Sequence, residues 1–244
     1  MPLNLDTICL FLDVDGTLLD IAARPGDVVV PPSLVEDLHT AERRLGGALA
    51  LVSGRSIEDL DTLFAPLRLR ATGVHGAEIR FSPDEPILHD EAAALPEEIW
   101  RAVRRVAAGF PGVILENKRY SFGVHYRSAP HVAPALEGAL RSAVAAPWDL
   151  ILLPGHCVFE VKGAAHDKGR AIGRFMEQGP FAGRRPIFAG DDTTDRPGFA
   201  AVRARGGLAY SVGQDLPCVT GSFAAPAAVR AWLGHLVRDE LVKP

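Results

Sequence analysis

The first strongly apolar stretch is Ile8–Leu12, an unbroken hydrophobic run that ends at Asp13. A short continuous run of this kind predicts a strand buried on both faces, as in a parallel sheet. Further on, Leu34, Leu38, Ala41 and Leu45 recur with helical period, predicting a helix over 34–45 with Ser33 as its cap. GGALALVSGR (46–55) then predicts a second strand and SIEDLDTLF (56–64) a helix. LRLRATGVHGAEIRF (67–81) predicts a third strand followed by a glycine-rich crossing. Strands alternating with helices predict an α/β fold, a Rossmann-like doubly wound parallel sheet.

The middle of the chain has another rhythm. LPEEIWRAVRRVAAGF (95–110) is helical in pattern, and GVILENK (112–118) and YSFGVHYR (120–127) predict a hairpin. Within it Tyr120, Phe122 and Val124 alternate as strand core does. A helix near 132–145 precedes a second strand pair, DLILLPG (149–155) and HCVFEVK (156–162). This order predicts a separate α+β unit with an antiparallel sheet. From Lys168 the alternation returns: a helix over 168–178, a strand in RRPIFAGDD (184–192), a helix over 194–204, a strand in GGLAYSV (206–212) and a last helix near 225–236. The simplest organisation is a parallel-sheet core made of residues 1–81 and 161–244, with an α+β cap inserted at 82–160.

Composition narrows the function. With 244 residues, 48% of them hydrophobic, the chain can build one large or two modest domains. The formal charge is −4 and no basic run stands out, which argues against nucleic acid as a partner. An anionic substrate would therefore need local cations. Three cysteines without paired spacing suggest neither a disulfide framework nor a zinc site. The N-terminal stretch lacks a basic region and its apolar run is broken by Asp13, so neither a signal peptide nor a membrane span is expected. A cytoplasmic monomer without membrane or nucleic-acid partners is the expectation.

In a parallel sheet, ligands collect beyond the carboxyl ends of the strands. Four polar signatures fall at or near such ends: Asp13-Val-Asp15-Gly16-Thr17, Ser53-Gly54-Arg55, Lys168-Gly169 and Gly190-Asp191-Asp192-Thr193-Thr194-Asp195. Each alone has an ordinary explanation: a turn, a solvated lysine, or Asp195 capping the helix that Pro197 starts. Together they suit phosphoryl transfer. Asp13 could attack phosphorus to give an aspartyl-phosphate, while Asp15 protonates the leaving oxygen and later deprotonates water. Carboxylates facing a phosphate need a hard cation between them, and Mg2+ suits oxygen ligands. Asp13, Asp191 and the backbone carbonyl of Asp15 are the expected ligands, with Asp192 or Asp195 acting directly or through water. Ser53 would hydrogen-bond a phosphoryl oxygen and Lys168 would neutralise remaining charge; Arg55 is a further substrate-binding candidate.

DVDGT, SGR, a lysine before glycine, and GDDTTD resemble the four signature motifs of haloacid-dehalogenase (HAD)-type phosphohydrolases. GVHGAE (73–78), ENKRYSFGVHYR (116–127) and GHCVFEVK (155–162) further resemble segments of trehalose-6-phosphate phosphatases. The resemblance covers essentially the whole chain. It implies a HAD-like core with a C2-type cap and a Mg2+-dependent trehalose-phosphatase hydrolysing a small-molecule sugar phosphate, trehalose 6-phosphate, in trehalose biosynthesis. It also implies that Glu116, Lys118 and Glu160 in the cap bind sugar hydroxyls. His125, Arg127 and Lys162 are weaker candidates, because side-chain alternation can put them on the other strand face. Two positions depart from the family pattern: Arg196 stands where an acid is usual, and His156 where a lysine is usual. A phosphatase for sucrose, mannosylglycerate or glucosylglycerate phosphate is the alternative; a sugar-phosphate sensor without turnover would need a damaged constellation.

Overall fold

The computed structural model describes residues 4–22, 27–90, 95–118, 120–145, 147–155 and 157–238. Two compact units emerge, Met1–His89 with Asp167–Pro244, and Asp90–His166.

The larger unit is built on an eight-stranded sheet. Its strands and helices follow as β1 (Ile8–Leu12), α1 (Pro32–Arg44), β2 (Leu49–Val52), α2 (Ile57–Leu63), β3 (Arg70–Gly73), β4 (Glu78–Arg80) and β5 (Leu88–His89). The smaller unit contributes α3 (Glu97–Ala108), β6 (Ile114–Asn117), β7 (Ser121–His125), α4 (Ala133–Ala143), β8 (Leu150–Gly155) and β9 (Val158–Gly163). The larger unit resumes with α5 (Lys168–Met176), β10 (Arg185–Gly190), α6 (Arg196–Ala204), β11 (Leu208–Val212), β12 (Gly221–Phe223) and α7 (Pro226–Val237).

Strand order in the large sheet is β12-β11-β10-β1-β2-β3-β4-β5. Strands β12 to β3 run parallel, whereas β4 and β5 are antiparallel additions at one edge. β1 lies between β2 and β10, so successive connections leave it in opposite directions. That is the topological switch point at which α/β sheets bind ligands. Every residue of β1 is buried, as its unbroken apolar run requires. Arg80, buried in β4, forks onto both carboxylate oxygens of Asp61 (2.7 and 2.6 Å) and donates to the Leu69 carbonyl, so its charge is fully engaged.

In the smaller unit the two hairpins join through β7 and β9 into a four-stranded antiparallel sheet, β6-β7-β9-β8. Ile99 and Val103 of α3 and Leu136 and Leu140 of α4 pack on Phe122, Val124, Phe159 and Val161. The helices therefore cover one face, and the alternate residues Ser121, Gly123 and His125 look the other way.

Two expectations differ from the structure. Helix α1 begins at Pro32 with Pro31 as its N-cap and no side-chain cap bond; Ser33 lies inside its first turn. Proline suits the first helical position because its φ is preset and its missing N–H would be unpaired there anyway. The unit boundaries fall at 89/90 and 166/167 rather than at 81/82 and 160/161. β5 pairs with β4 and keeps residues 82–89 with the large sheet, and β9 runs unbroken to Gly163 against β7 and β8. Among the described residues no helix is long and apolar enough to cross a membrane.

Candidate active site

The site grows from the end of β1. Asp13 follows the strand directly, and its N–H still donates to the Ala189 carbonyl of β10 at 3.0 Å. The chain then closes a tight turn, with the amides of Leu18 and Leu19 both donating to the Val14 carbonyl at 2.9 Å. Thr17 Oγ1 donates to Asp13 Oδ2 at 2.9 Å, and Lys168 Nζ donates to Asp13 Oδ1 at 2.7 Å. Both oxygens of a carboxylate that is only 4% exposed are thus fixed. Gly16 carries φ +77, and a Cβ there would lie 2.0 Å from Asp191 Oδ2. Only glycine meets both conditions, which brings the β10 loop up against the β1 loop.

Lys168 opens α5, whose N-cap Asp167 accepts from the Arg170 amide. Its ammonium makes a second buried ion pair, with Asp195 Oδ1 at 2.7 Å. The other Asp195 oxygen accepts from the amides of Asp191 and Asp192, each at 3.0 Å. Asp192 in turn accepts from Thr194 through both its amide and its hydroxyl. Asp195 stands at the N-cap of α6, but its side chain makes no cap bond there. It anchors Lys168 and shapes the loop that carries Asp191. Arg196, which follows it, is exposed at the start of α6; His156 lies outside the described residues.

Asp13, Asp191 and Asp195 offer carboxylate oxygens that all lie within 4.8 Å of one another. Burial raises the Asp13 pKa more than Lys168 lowers it. Burial and then the charge of Asp13 push Asp191 up to about 9, and burial pushes Asp195 to about 7 against the pull of Lys168. Burial would lower the Lys168 pKa, but Asp13 and then Asp195 hold it above the ordinary lysine range. One cation thus serves more negative charge than it can balance. An oxygen-only donor set in that condition fits a hard divalent cation. Asp195 is the least available of the three: it is fully buried and accepts three hydrogen bonds, against two at Asp13.

At the end of β2, Ser53 is buried, and its Oγ accepts from the Arg55 amide at 3.0 Å. The Arg55 guanidinium forks onto Asp15, with Nε to Oδ2 at 2.7 Å and Nη2 to Oδ1 at 2.6 Å. The Asp15 carboxylate is therefore held by Arg55 and is not among the clustered acids; its expected metal contact was through the backbone carbonyl. A feature outside the four motifs supports this loop. Val74 and His75 adopt positive φ (47° and 54°), and their amides donate to the carbonyls of Arg55 and Ser53. A β-branched residue in that region is strained, so the surrounding contacts must impose it. Neither residue type gave a local signal for this turn.

In the smaller unit, Glu116, Gly123 and Glu160 stand opposite one another across β6, β7 and β9, and so share a face. His125 Nε2 lies 2.9 Å from Glu116 Oε2, and Lys118 Nζ 3.8 Å from the same oxygen. Ser121 Oγ donates to Glu160 Oε1 at 2.5 Å. The hydrogen bond from His125 holds Glu116 below the ordinary carboxylate range, aided by Lys118 against partial burial. His125 and Lys162 lie on this same face, contrary to the concern that alternation would turn them away: each is two residues from Gly123 or Glu160. Lys162 is buried and donates to the Gly163 and His166 carbonyls. Arg127 is exposed in the turn after β7.

The profile of the trehalose-phosphatase family matches residues 11–228. The chain is 39% identical to the trehalose-6-phosphate phosphatase of Escherichia coli (strain K12), over 91% of this chain and 84% of that one. It is 40% identical to a probable trehalose-phosphate phosphatase of Sinorhizobium fredii, over 96% and 89%. The fold is similar to the C-terminal domain of the trehalose-6-phosphate phosphatase of C. albicans, with TM-score 0.82 at 19% identity, covering 96% of this chain and 92% of that one. A HAD-superfamily phosphatase from Bacteroides thetaiotaomicron aligns with TM-score 0.61 at 16% identity, covering 94% of each chain. With the family profile spanning nearly the whole sequence and a HAD-like fold beneath it, the chain belongs to the trehalose-phosphatase family.

Proposed function

We propose that the protein is a Mg2+-dependent phosphatase that hydrolyses trehalose 6-phosphate to trehalose and phosphate in trehalose biosynthesis. The observation that carries this reading is Asp13: a buried carboxylate at the switch point, held through one oxygen by Thr17 and through the other by Lys168. A fixed carboxylate beside a fixed cation is what attack on a phosphate monoester needs.

An Asp13 oxygen attacks phosphorus, the bond from phosphorus to the sugar oxygen breaks, and Asp15 gives that oxygen its proton. The product is an aspartyl-phosphate and free sugar. Asp15, now ionised, takes a proton from water as the water oxygen attacks the same phosphorus. The acyl-phosphate bond breaks, returning the Asp13 carboxylate and inorganic phosphate. Ser53 holds a phosphoryl oxygen, Lys168 offsets charge on Asp13 and the phosphate, and Arg55 keeps Asp15 oriented. Asp13, Asp191 and the Asp15 carbonyl would hold Mg2+, which would supply positive charge against the phosphoryl oxygens. Glu116, Lys118 and Glu160 recognise the sugar hydroxyls; the sheet face shared by Glu116 and Glu160, and the Lys118 ammonium 3.8 Å from Glu116, support that assignment. The free thiols of Cys9, Cys157 and Cys218 accord with a reducing cytoplasm.

The deciding experiment measures phosphate release from trehalose 6-phosphate and from sucrose, mannosylglycerate and glucosylglycerate phosphates, with and without Mg2+. Trehalose 6-phosphate with Mg2+ should give the highest kcat/KM. Preference for another member of the panel would overturn the substrate assignment, and equal rates in EDTA the metal assignment.

A further inference from the structure

Asp191 has to place its carboxylate in the gap that Gly16 leaves, where a Cβ would come within 2.0 Å of Oδ2. Placement that tight depends on the backbone that carries it. The Asp191 amide is fixed by Asp195. Its carbonyl is fixed from a different element: Gln214 Nε2 donates to it at 2.5 Å. The sheet explains why Gln214 is there. β10 and β11 run parallel with Gly190 opposite Ser211, so the chain leaving β11 passes beside the loop leaving β10. Gly213, at φ +72, turns that chain while its amide donates to the Phe223 carbonyl at 2.9 Å. The turn sets Gln214 against Asp191. Within the acidic motif the Asp192 and Asp195 carboxylates act as acceptors and the Thr194 hydroxyl donates to Asp192; the donor to the Asp191 carbonyl, Gln214, comes from outside the motif.

We infer that Gln214 is a positioning residue of the cation site: by holding the Asp191 carbonyl it fixes the direction of the Asp191 carboxylate, without itself touching ion or substrate. The inference rests on the proposed role of Asp191 as a ligand. Gln214 is exposed and outside the core, so removing its amide leaves the packing untouched. What changes is the freedom of the Asp191 peptide, and with it the affinity for the cation.

The test compares Gln214→Ala with Gln214→Met, which keeps the length of the side chain and loses the donor. Mn2+ binding to the substrate-free enzyme is followed by electron paramagnetic resonance, beside the Mg2+ concentration needed for half-maximal phosphate release. Both variants should bind Mn2+ about two- to tenfold more weakly, the equivalent of one neutral hydrogen bond. The half-saturating Mg2+ should rise by the same factor, and kcat at saturating Mg2+ should recover. Wild-type affinity in both variants overturns the inference, and so does a loss in Gln214→Ala that Gln214→Met does not share, which would mean packing rather than the donor. If wild-type protein binds no Mn2+ and Mg2+ does not alter its rate, the metal reading itself fails; if it binds and the variants match it, only the role of Gln214 fails.

Discussion

Replacing Lys168 by methionine tests the electrostatic basis of the site. The side chain makes two ion pairs of 2.7 Å, and exposure of the three groups is 4%, 5% and 0%. Removing one partner of a buried pair costs about 3–5 kcal/mol, because the remaining charge stays desolvated. For a chain of this length each kcal/mol lowers Tm by about 2–4 °C, so Tm should fall by roughly 6–20 °C. The variant should still fold, since domains have stabilities of about 5–15 kcal/mol. Asp13 and Asp195 can respond by taking up protons, so the loss should be larger at pH 9 than at pH 6. Adding Asp195→Asn to Lys168→Met removes one uncompensated charge and should raise Tm again, whereas Asp195→Asn alone should lower it. That opposite sign is the signature of coupling, of order 0.5–3 kcal/mol in such cycles. Phosphate release should stay absent in both methionine variants, because Asp13 keeps no cation. Thermal unfolding in EDTA and phosphate release on the same samples are the measurements. If Lys168→Met unfolds at the wild-type temperature, or Asp195→Asn costs the same in both backgrounds, the argument fails.

Asp13→Asn should fold and release no phosphate above background, since asparagine keeps the shape and loses the nucleophile; near-normal turnover by the purified variant would refute its role. In the metal-free protein the raised pKa values of Asp191 and Asp195, about 9 and about 7 against 3.8, mean that the folded state binds protons the unfolded chain has released. Stability should therefore fall as pH rises from about 4 towards those values, and the gain in Tm from Mg2+ should grow between pH 6 and 9. A Mg2+ effect on Tm that is independent of pH would contradict this. Alanine at Glu116, Lys118 or Glu160 should lower kcat/KM for trehalose 6-phosphate roughly ten- to hundredfold, the worth of a charge-assisted hydrogen bond, and leave the slow hydrolysis of a small aryl phosphate nearly unchanged. Equal losses on both substrates would mean that these residues serve the fold or the chemistry.

The parallel core was legible because β1 is an unbroken apolar run that ends at Asp13, and β10 likewise leads into Asp191-Asp192. The antiparallel unit was legible because its strands alternate. What escaped had weak local signals: β12 is three residues long and β5 two, and both are recognisable only from their partners. Ser33 misled because capping propensity competes with the preset φ of Pro32, and proline won. Among site residues, Asp13, Ser53, Lys168 and Asp191 stand in motifs at or near strand ends. The attachment of Arg55 to Asp15, the left-handed turn at Val74-His75 and the bond from Gln214 to Asp191 depend on residues 19 to 40 positions apart in sequence meeting in space, and no periodicity encodes that.

The site is arranged so that negative charge is in excess before any substrate arrives. Asp13 and Asp195 share the charge of Lys168, and Asp191 lies beside them with a carboxyl pushed up to about 9. Such crowding costs stability, and here backbone does most of the holding that keeps the groups together. The Asp191 and Asp192 amides are tied to Asp195, and the Asp191 carbonyl to Gln214. Gly16 lets the β1 loop approach without a side chain between. The carboxylates therefore cannot relax apart to lower their repulsion. A cation bound as proposed would meet ligands already ordered, and would release repulsion instead of spending binding energy on reorganisation. In the proposed mechanism the same rigidity would keep Asp13 fixed while phosphorus changes its bonds, because the cation ligands and the proposed nucleophile are positioned by one hydrogen-bonded frame rather than by separate loops.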